Sequence, residues 1–475
     1  MKKILFLIIP VLFIVSCTKN IDRFNEQTKR AASVPAGTLF SNATRNLSDN
    51  LASASVNSNP FRFIVKHWAM ATYQDELQFN FATRNIPQTW WTSLYRDVLN
   101  DYKESARIIS EDETLDPAVK ANKLAIIDML QVYVFANLVT TFGDVPYSEA
   151  LDPTNLFPVY DDAKTVYTSL LSRLSADVTA MNAASGSFTS TEDLIYKGSV
   201  AKWIKFGNSL KIRMGMLLAD SDAGAAKTAV ESGDAGAFSS AADNAFFPYL
   251  GSTPNTNPLY ADIVLGGRGD YVAAEDLMDP MLALNDPRVP QFFGTNNDGD
   301  YVGGVSGQVN TYSQVSKPSD KVSAATAPEF ILDYVETEFY RAEAIERGFS
   351  VAGTAAGHYE NAIRASIIAW GGSDADATAY LAQAGVAYAT APGDWKQKIG
   401  FQKWIALYNR PQEGWTELRR LDQPVLTLPV GAQSGFPVRY TYPNNEQQLN
   451  GTNYTSAAAK IGGDDVETKL FWDTH

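Results

Sequence analysis

The stretch 117-PAVKANKLAIIDMLQVYVFANLV-139 decides the fold, because it predicts one long helix early in the chain. Proline is well accommodated in the first turn of a helix, so Pro117 marks a helix start. The segment that follows, Ala121 to Val139, is long and apolar. We therefore take helices as the first expectation for the rest of the chain.

Helical spacing continues on both sides of this stretch. Apolar residues recur every three or four positions in two earlier segments, which places them on one face of a helix. These positions are Phe61, Ile64, Val65, Trp68, Ala69 and Thr72 in the first segment, and Trp90, Leu94, Val98, Tyr102 and Ala106 in the second. The later predicted helices are Asp161 to Met181, Ala201 to Leu218, Phe330 to Glu346, Tyr359 to Trp370, Trp395 to Tyr408 and Trp415 to Arg420. The predicted fold class is all-α.

Two of these helices share a short signature. Ala163-x3-Tyr167-x2-Leu170 and Ala355-x3-Tyr359-x2-Ala362 both combine small, aromatic and small or apolar residues, as the second helix of a tetratricopeptide repeat does. The same spacing is equally typical of ordinary helix packing. The signature alone leaves a repeat and a non-repeat helical body open.

Two segments are too rich in helix breakers for long helices. The stretch of about 233–327 contains many proline and glycine residues, with a short helix predicted only from Ala273 to Leu284. Its tyrosines argue against disorder, and long ordered loops are usually functional. The stretch of about 423–475 is a second loop-rich region. We expect both to lie over the helical body.

Composition excludes several functions. The chain has 475 residues, 45% hydrophobic and 19% charged, which is typical of a folded globular protein. Its net charge of −14 gives nucleic acid no basic surface to bind. One cysteine and three histidines exclude an intramolecular disulfide and leave little for a zinc site.

The N-terminus predicts export. Lys2 and Lys3 precede a twelve-residue apolar run, Ile4 to Val15, which is too short to span a bilayer and is typical of a signal peptide. Ser16 then precedes Cys17, the single cysteine, in a sequence that resembles a bacterial lipobox. We predict a signal peptide at 1–16, lipidation at Cys17, a tether at 17–35 and one domain at 36–475. The membrane would be contacted through the lipid only.

Catalytic motifs are absent from the sequence. No G-x-S-x-G, Walker A or G-x-G-x-x-G pattern occurs, and His67 and His358 read as packing or surface residues. Glycoside hydrolysis needs only two carboxylates, so a hydrolase stays open as an alternative, with Asp75-Glu76 as the place to look.

One loop resembles a cation site. Asn296, Asp298 and Asp300 alternate as the oxygen ligands of calcium loops do, so calcium is a candidate cofactor here. A turn held by Asx hydrogen bonds is the competing interpretation. Arg268-Gly269-Asp270 reads as a turn.

Aromatic and polar residues indicate ligand recognition. Sugars stack their C–H faces on flat rings while their hydroxyls bond to carboxylates and amides. Adjacent helical residues point about 100° apart, so one of Trp90 and Trp91 is expected to be exposed or to lie in a second interface. The competing interpretation is that both are core or lid residues. Acids, amides and large rings lie close together in the stretches Asp75 to Phe81 and Thr89 to Tyr95, and Tyr271 and Tyr301 of the loop-rich insert are further candidate ligand-binding residues.

Several motifs together resemble the SusD/RagB-like lipoproteins of Bacteroidetes. The motifs, in order, are Cys17, Trp91-x3-Tyr95, Thr141-Phe142-Gly143-Asp144-Val145-Pro146-Tyr147, Trp203 to Arg213, Arg341-Ala342-Glu343-Ala344, Gln402 to Leu407 and Glu413 to Arg420. The resemblance covers essentially the whole chain.

This resemblance implies an all-α body of four tetratricopeptide-like helix pairs overlaid by a loop-rich region. It implies an outer-membrane lipoprotein exposed at the cell surface, which captures oligosaccharide, or peptide in some members, for a TonB-dependent SusC-like transporter. It implies a binding protein and not an enzyme. The repeat side is implied to face the transporter. The positions that match the ligand arc of the starch-binding member, and are therefore implied to bind ligand, are Asp75, Gln78, Asn80, Trp90 and Trp91. The residues implied to be framework are Trp203, Asn208, Arg213, Trp404, Trp415 and Arg419.

Overall fold

The computed structural model describes residues 34–475, within which seventeen α-helices dominate. The predicted signal peptide and Cys17 lie outside the described residues. The helices are α1 (Ala36–Ala52), α2 (Phe61–Ile64), α3 (Ile86–Thr92), α4 (Asn100–Glu111), α5 (Pro117–Phe142), α6 (Ala163–Ala180), α7 (Val200–Leu217), α8 (Ala223–Asp234), α9 (Glu275–Ala283), α10 (Val289–Phe292), α11 (Tyr334–Glu346), α12 (Ala355–Ala369), α13 (Asp374–Leu381), α14 (Trp395–Ala406), α15 (Pro411–Leu421), α16 (Asn444–Leu449) and α17 (Gly451–Lys460). A π-helical segment, Ser93–Leu99, joins α3 to α4. The all-α prediction is confirmed.

The helices pack in pairs. Helix α5 packs with α6, α7 with α8, α11 with α12, and α1 with α4. Small residues allow the close approach: a Cβ at Gly215 of α7 would lie 2.9 Å from the Cβ of Ala229 on α8. Tyr167 and Tyr359, the aromatic residues of the repeat-like signature, are both buried in the core.

Helix α5 is the centre of the body. Within the described part of the chain, it alone is long and apolar enough to cross a membrane, yet 78% of its most apolar window is buried inside the protein. It ends at Gly143, whose φ of +93° is the left-handed conformation that favours glycine. Asp144 then accepts a 2.9 Å hydrogen bond from the Ala163 N–H at the start of α6. The motif Thr141 to Tyr147 thus turns the chain from α5 toward α6.

A buried ionic cluster joins four helices. Arg213 of α7 pairs with Glu336 of α11 at 2.6 Å and with Glu413 of α15 at 2.9 Å. Lys403 of α14 pairs with Glu417 of α15 at 2.8 Å. Buried charges are tolerated only when paired, so this cluster fixes how the four helices meet.

Two short sheets connect distant parts of the chain. Strand β1 (Trp68–Met70) pairs antiparallel with β3 (Tyr271–Ala273), and β2 (Ala245–Phe247) with β4 (Glu329–Leu332). The predicted helix from Phe61 to Thr72 is therefore wrong beyond its first turn. Both faces of this segment are buried, so the spacing of its apolar residues does not distinguish helix from strand.

The C-terminal region folds over the helical body. Tyr440 donates its N–H to the Thr141 carbonyl at 2.8 Å, and Arg439 donates to the Phe142 carbonyl at 2.9 Å. The region is less irregular than its composition suggests, because Asn444 to Lys460 forms α16 and α17.

Candidate functional site

An open polar cleft of about 620 Å³ lies where the early loops meet the loop-rich insert. The pairing of β1 with β3 builds it, because the Ala71 N–H donates to the Asp270 carbonyl at 2.8 Å and so brings residues 72–73 beside 268–270. We name it the Arg268 cleft. It is lined by Val56, Asn57, Thr72, Tyr73, Arg84, Asp262, Gly266, Arg268, Gly269 and Asp270.

Arg268 is held in place by its neighbours. Its Nε and Nη2 donate to the two carboxylate oxygens of Asp270 at 2.8 and 3.2 Å, and the guanidinium lies 4.4 Å from the ring centroid of Tyr271. Its Nη1 makes only a 3.9 Å contact with Asp262. Because an arginine has five N–H donors, the Nη1 group keeps donors for a ligand in the cleft.

Arg84 provides the second cation. Its Nε lies 2.9 Å from Glu76 Oε1 and its Nη2 lies 3.9 Å from Asp75 Oδ2. The Glu76 carboxyl is fully buried, and this burial raises its pKa above the ordinary value. The predicted ligand residue Asp75 therefore lies beside a residue that lines the cleft.

Two exposed rings border the cleft. Tyr73 is 55% exposed and lines the cleft directly. Tyr312 is 38% exposed, and its ring lies 3.9 Å from the position that a Cβ at Gly269 would take. Exposed tyrosines present a flat apolar face and a hydroxyl together. The exposed rings at this cleft are thus tyrosines and not the tryptophans named as candidates from the sequence.

Both tryptophans are buried, so neither is exposed; Trp91 instead lies in a second interface, which is the other outcome that the sequence predicted. Trp90 packs edge-on against Phe61 at 5.1 Å, whereas Trp91 packs against Phe142 at 5.0 Å and also near Tyr442 of the C-terminal region. The helix is covered on two sides, so neighbouring residues pointing in different directions both find a core. Neither ring presents a face to a ligand.

Tyr271 is also buried and is not a ligand platform in this structure. Its hydroxyl donates to the Ala54 carbonyl at 2.6 Å, and its ring supports the Arg268 guanidinium. It acts on the cleft by positioning Arg268 and by donating its hydroxyl to Asp262 Oδ2 at 3.0 Å. Tyr301 is half-buried and packs against the main core.

Gln78 and Asn80 are half-exposed but are engaged in local structure. Gln78 Nε2 donates to the Gly307 carbonyl at 2.9 Å, which ties the early loop to the insert. Asn80 Oδ1 accepts from the Thr83 hydroxyl at 2.8 Å. Neither residue lines the Arg268 cleft, so their predicted ligand contacts stay predictions.

The Asn296 loop has the geometry of an Asx turn. Asn296 Oδ1 accepts backbone N–H groups from Asp298 at 3.0 Å and Asp300 at 2.9 Å. Within residues 34–475, no group of three or more His, Cys, Asp or Glu side chains is placed to hold a metal ion. The oxygen proposed as a calcium ligand is thus already used by the turn, and calcium binding stays a prediction.

Sequence reasoning missed Tyr73, Arg84 and Asp262, and it read Arg268-Gly269-Asp270 only as a turn. The sequence around each of these residues contains no motif that indicates a binding site, because the residues come together in space only when β1 pairs with β3. A helical body beneath an open cleft with charged groups and rim rings defines the class as a ligand-binding protein.

The comparisons with known proteins identify the family. Residues 28–443 match the SusD-like_2 family, described as starch-binding and associating with the outer membrane. The match covers most of the chain, so the chain belongs to this family of carbohydrate-binding, outer-membrane-associated proteins. No curated protein sequence matches the chain.

Solved structures share the fold over nearly the whole chain. A chitin-binding protein is 26% identical, with a TM-score of 0.80 over 93% of this chain and 100% of that one. A chitin-binding SusD homologue from Flavobacterium johnsoniae is 22% identical, with a TM-score of 0.78 over 92% of this chain and 99% of that one. A SusD homologue from Bacteroides uniformis is 25% identical, with a TM-score of 0.76 over 92% and 99%.

Proposed function

We propose that this chain captures an oligosaccharide in the Arg268 cleft and delivers it to a SusC-like TonB-dependent transporter. The observation that carries the proposal is the cleft itself, in which two exposed tyrosine rings border two arginines and two carboxylates. A sugar ring stacks its C–H face on Tyr73 or Tyr312, and its hydroxyls accept from Arg268 Nη1 and donate to carboxylate oxygens. The cleft is open, which suits a chain ligand that extends beyond it.

The family description and one relative indicate the ligands to test first. Starch is the ligand in the family description, and the 26% identical relative is a chitin-binding protein. We therefore propose a neutral glucan or N-acetylglucosamine polymer as the ligand class. A peptide ligand, as in some members of the resembling family, is the alternative outcome of a binding screen.

The cleft argues for binding without catalysis. Asp262 and Asp270 lie in the same open cleft, as the two carboxylates of a glycoside hydrolase do. Both face the Arg268 guanidinium, and Asp270 is bonded to it through both oxygens. Hydrolysis needs one carboxyl that gives up a proton to the leaving oxygen, whereas both carboxylates here lie against a guanidinium and are placed to accept hydrogen bonds.

The test compares glycan affinity of two variants. Tyr73→Ala removes a ring that lines the cleft, and Phe157→Ala removes an equally exposed ring (59% against 55%) that does not line it. We expect calorimetry to show weaker binding for Tyr73→Ala alone. Equal affinities for the two variants and the parent chain would place the ligand elsewhere.

Anchoring and delivery form the rest of the proposal. Cys17 would carry the lipid, and the helix-pair side would face the transporter. Palmitate labelling of the parent and of Cys17→Ala tests the anchor. Co-purification of the membrane-bound chain with a TonB-dependent barrel tests the partner. A Cys17→Ala chain that keeps its label, or a membrane-bound chain that purifies alone, would contradict these points.

A further inference from the structure

A second cavity, of about 300 Å³, lies where α12 and the loop after α14 meet residues 321–330. We name it the Trp370 cavity. It has no lining residue in common with the Arg268 cleft. Most of its lining residues are apolar: Val322, Ala324, Ala327, Pro328, Phe330, Val335, Ala365, Ala369, Trp370 and Ala406.

Two asparagine side chains line this cavity with defined orientations. Asn244 Oδ1 accepts the Tyr334 N–H at 2.8 Å, and Asn409 Oδ1 accepts from Arg62 Nη2 at 3.1 Å. Each carbonyl oxygen is thus engaged in the protein. Neither Nδ2 group donates a hydrogen bond within the described part of the chain, so each of these two lining residues keeps an NH₂ group that is free to donate.

The three charged residues of the lining, Lys321, Asp333 and Arg410, are all engaged within the protein. Lys321 Nζ donates to the Trp370 carbonyl and to Gln291 Oε1. Arg410 and Asp333 both line it, and Arg410 Nη1 lies 3.2 Å from Asp333 Oδ1. Arg410 also donates to Glu336. A charged ligand would have to disturb this buried pairing, whereas a neutral one would not.

We propose that the Trp370 cavity binds a small uncharged molecule that has one ring or a short branched chain and a carbonyl acceptor. The cavity volume is at the lower end of the range for ligand pockets, which fits a body of about ten non-hydrogen atoms. The carbonyl accepts from Asn244 and Asn409, and the ring packs on Trp370 and Phe330. A sugar is disfavoured, because the apolar residues that form most of the wall would leave part of its hydroxyls unpaired.

Three probes test this assignment. Acetanilide has a ring and a carbonyl, toluene has the ring alone, and acetamide has the carbonyl alone. We expect saturation-transfer NMR on the chain from Thr18 onward to detect acetanilide and toluene but not acetamide, with acetanilide tighter and its Kd about 0.1–1 mM. Absence of acetanilide binding would overturn the proposal.

Matched variants locate the binding. Ala369→Phe places a ring over the cavity, whereas Ile368→Phe places the same ring at the adjacent exposed position, which does not line it. Only Ala369→Phe should abolish binding of both ring probes. If both variants bind like the parent, the site lies elsewhere and the proposal fails.

The donors are tested separately. Asn244→Asp combined with Asn409→Asp keeps the oxygens that accept from Tyr334 and Arg62 but removes the NH₂ donors. We expect about a tenfold loss of acetanilide affinity with toluene unchanged. An equal loss of affinity for acetanilide and toluene would show that the two asparagine amides do not bind the acetanilide carbonyl. This result too would overturn the assignment.

Discussion

The pairing of Lys403 with Glu417 gives the sharpest stability prediction. The Glu417 carboxylate accepts from Lys403 Nζ at 2.8 Å, from the Tyr340 hydroxyl at 2.9 Å and from Arg420 Nη2 at 2.6 Å. All four side chains are buried. Burial raises the pKa of Glu417, but the charges of Arg420 and Lys403 outweigh it and hold that pKa well below the ordinary value. The carboxylate is therefore ionised in the folded protein.

Glu417→Gln should destabilise the protein severely. It keeps the shape of the side chain but leaves Lys403 buried without a counter-ion, which costs about 3–5 kcal/mol. At about 2.1 cal/mol/K of unfolding entropy per residue, a chain of this size loses roughly 1 °C of Tm per kcal/mol, so Tm should fall by about 3–5 °C. Lys403→Met should likewise lower Tm, and the double variant should lose less than the two single losses together.

Differential scanning calorimetry of the four proteins measures these values. Lys227→Met is the matched control, since Lys227 is 51% exposed and lies 3.8 Å from Glu231 in a surface pair on one helix. Its Tm should change by less than about 1 °C. A Glu417→Gln variant as stable as this control, or single losses that add fully in the double variant, would refute the argument from buried charge.

Three further predictions concern pH and ligand affinity. Burial lowers the pKa of His67 from 6.5 to about 3, so the unfolded chain binds the proton more tightly than the folded protein does. The free energy of unfolding should therefore fall as pH drops from about 6.5 toward 3. Urea titrations of His67→Gln should show a shallower fall over this range. Burial raises the pKa of Glu329 from 4.5 to about 8, so the free energy of unfolding should fall as pH rises between these values. In urea titrations at pH 8, Glu329→Gln should be more stable than the parent. Tyr73 is 55% exposed and offers one ring face of about 55 Å² to a sugar, whose burial is worth about 1.4 kcal/mol. Tyr73→Ala should therefore weaken glycan binding about tenfold in calorimetry. A change below twofold would show that Tyr73 is not part of the site.

Much of the helical body was predictable from sequence. The run from Ala121 to Val139 lies in α5, which begins at Pro117 as predicted. Helix spacing also located most of α6, α7, α12 and α14 within a few residues. These helices have a strong periodic or apolar pattern that local sequence alone determines.

The errors arise where tertiary contacts decide the structure. Trp68 to Met70 forms a strand because Tyr271 to Ala273 pairs with it, about two hundred residues later in the chain. The sequence left open whether one of Trp90 and Trp91 is exposed or lies in a second interface, and the C-terminal region decides for the interface because Tyr442 packs against Trp91. The segment 444–460 is helical despite flanking loops.

The candidate site was the least predictable part. Asp75 was placed near it, but Arg84, Arg268 and Tyr73 lie in different sequence contexts with no shared motif. They converge only through the β1–β3 pairing, which the sequence pattern did not indicate. The rings at the rim are ordinary exposed tyrosines, so residue type alone does not distinguish them from the many buried ones.

The most direct test of the account is a binding screen of the chain from Thr18 onward against chitin oligomers, malto-oligosaccharides, other polysaccharides and peptides, with released products assayed in the same wells. The account predicts saturable binding of at least one glycan class, with no product released and no preference for peptide. Release of shortened glycan would contradict capture without catalysis, and binding of peptides alone would contradict the proposed carbohydrate ligand.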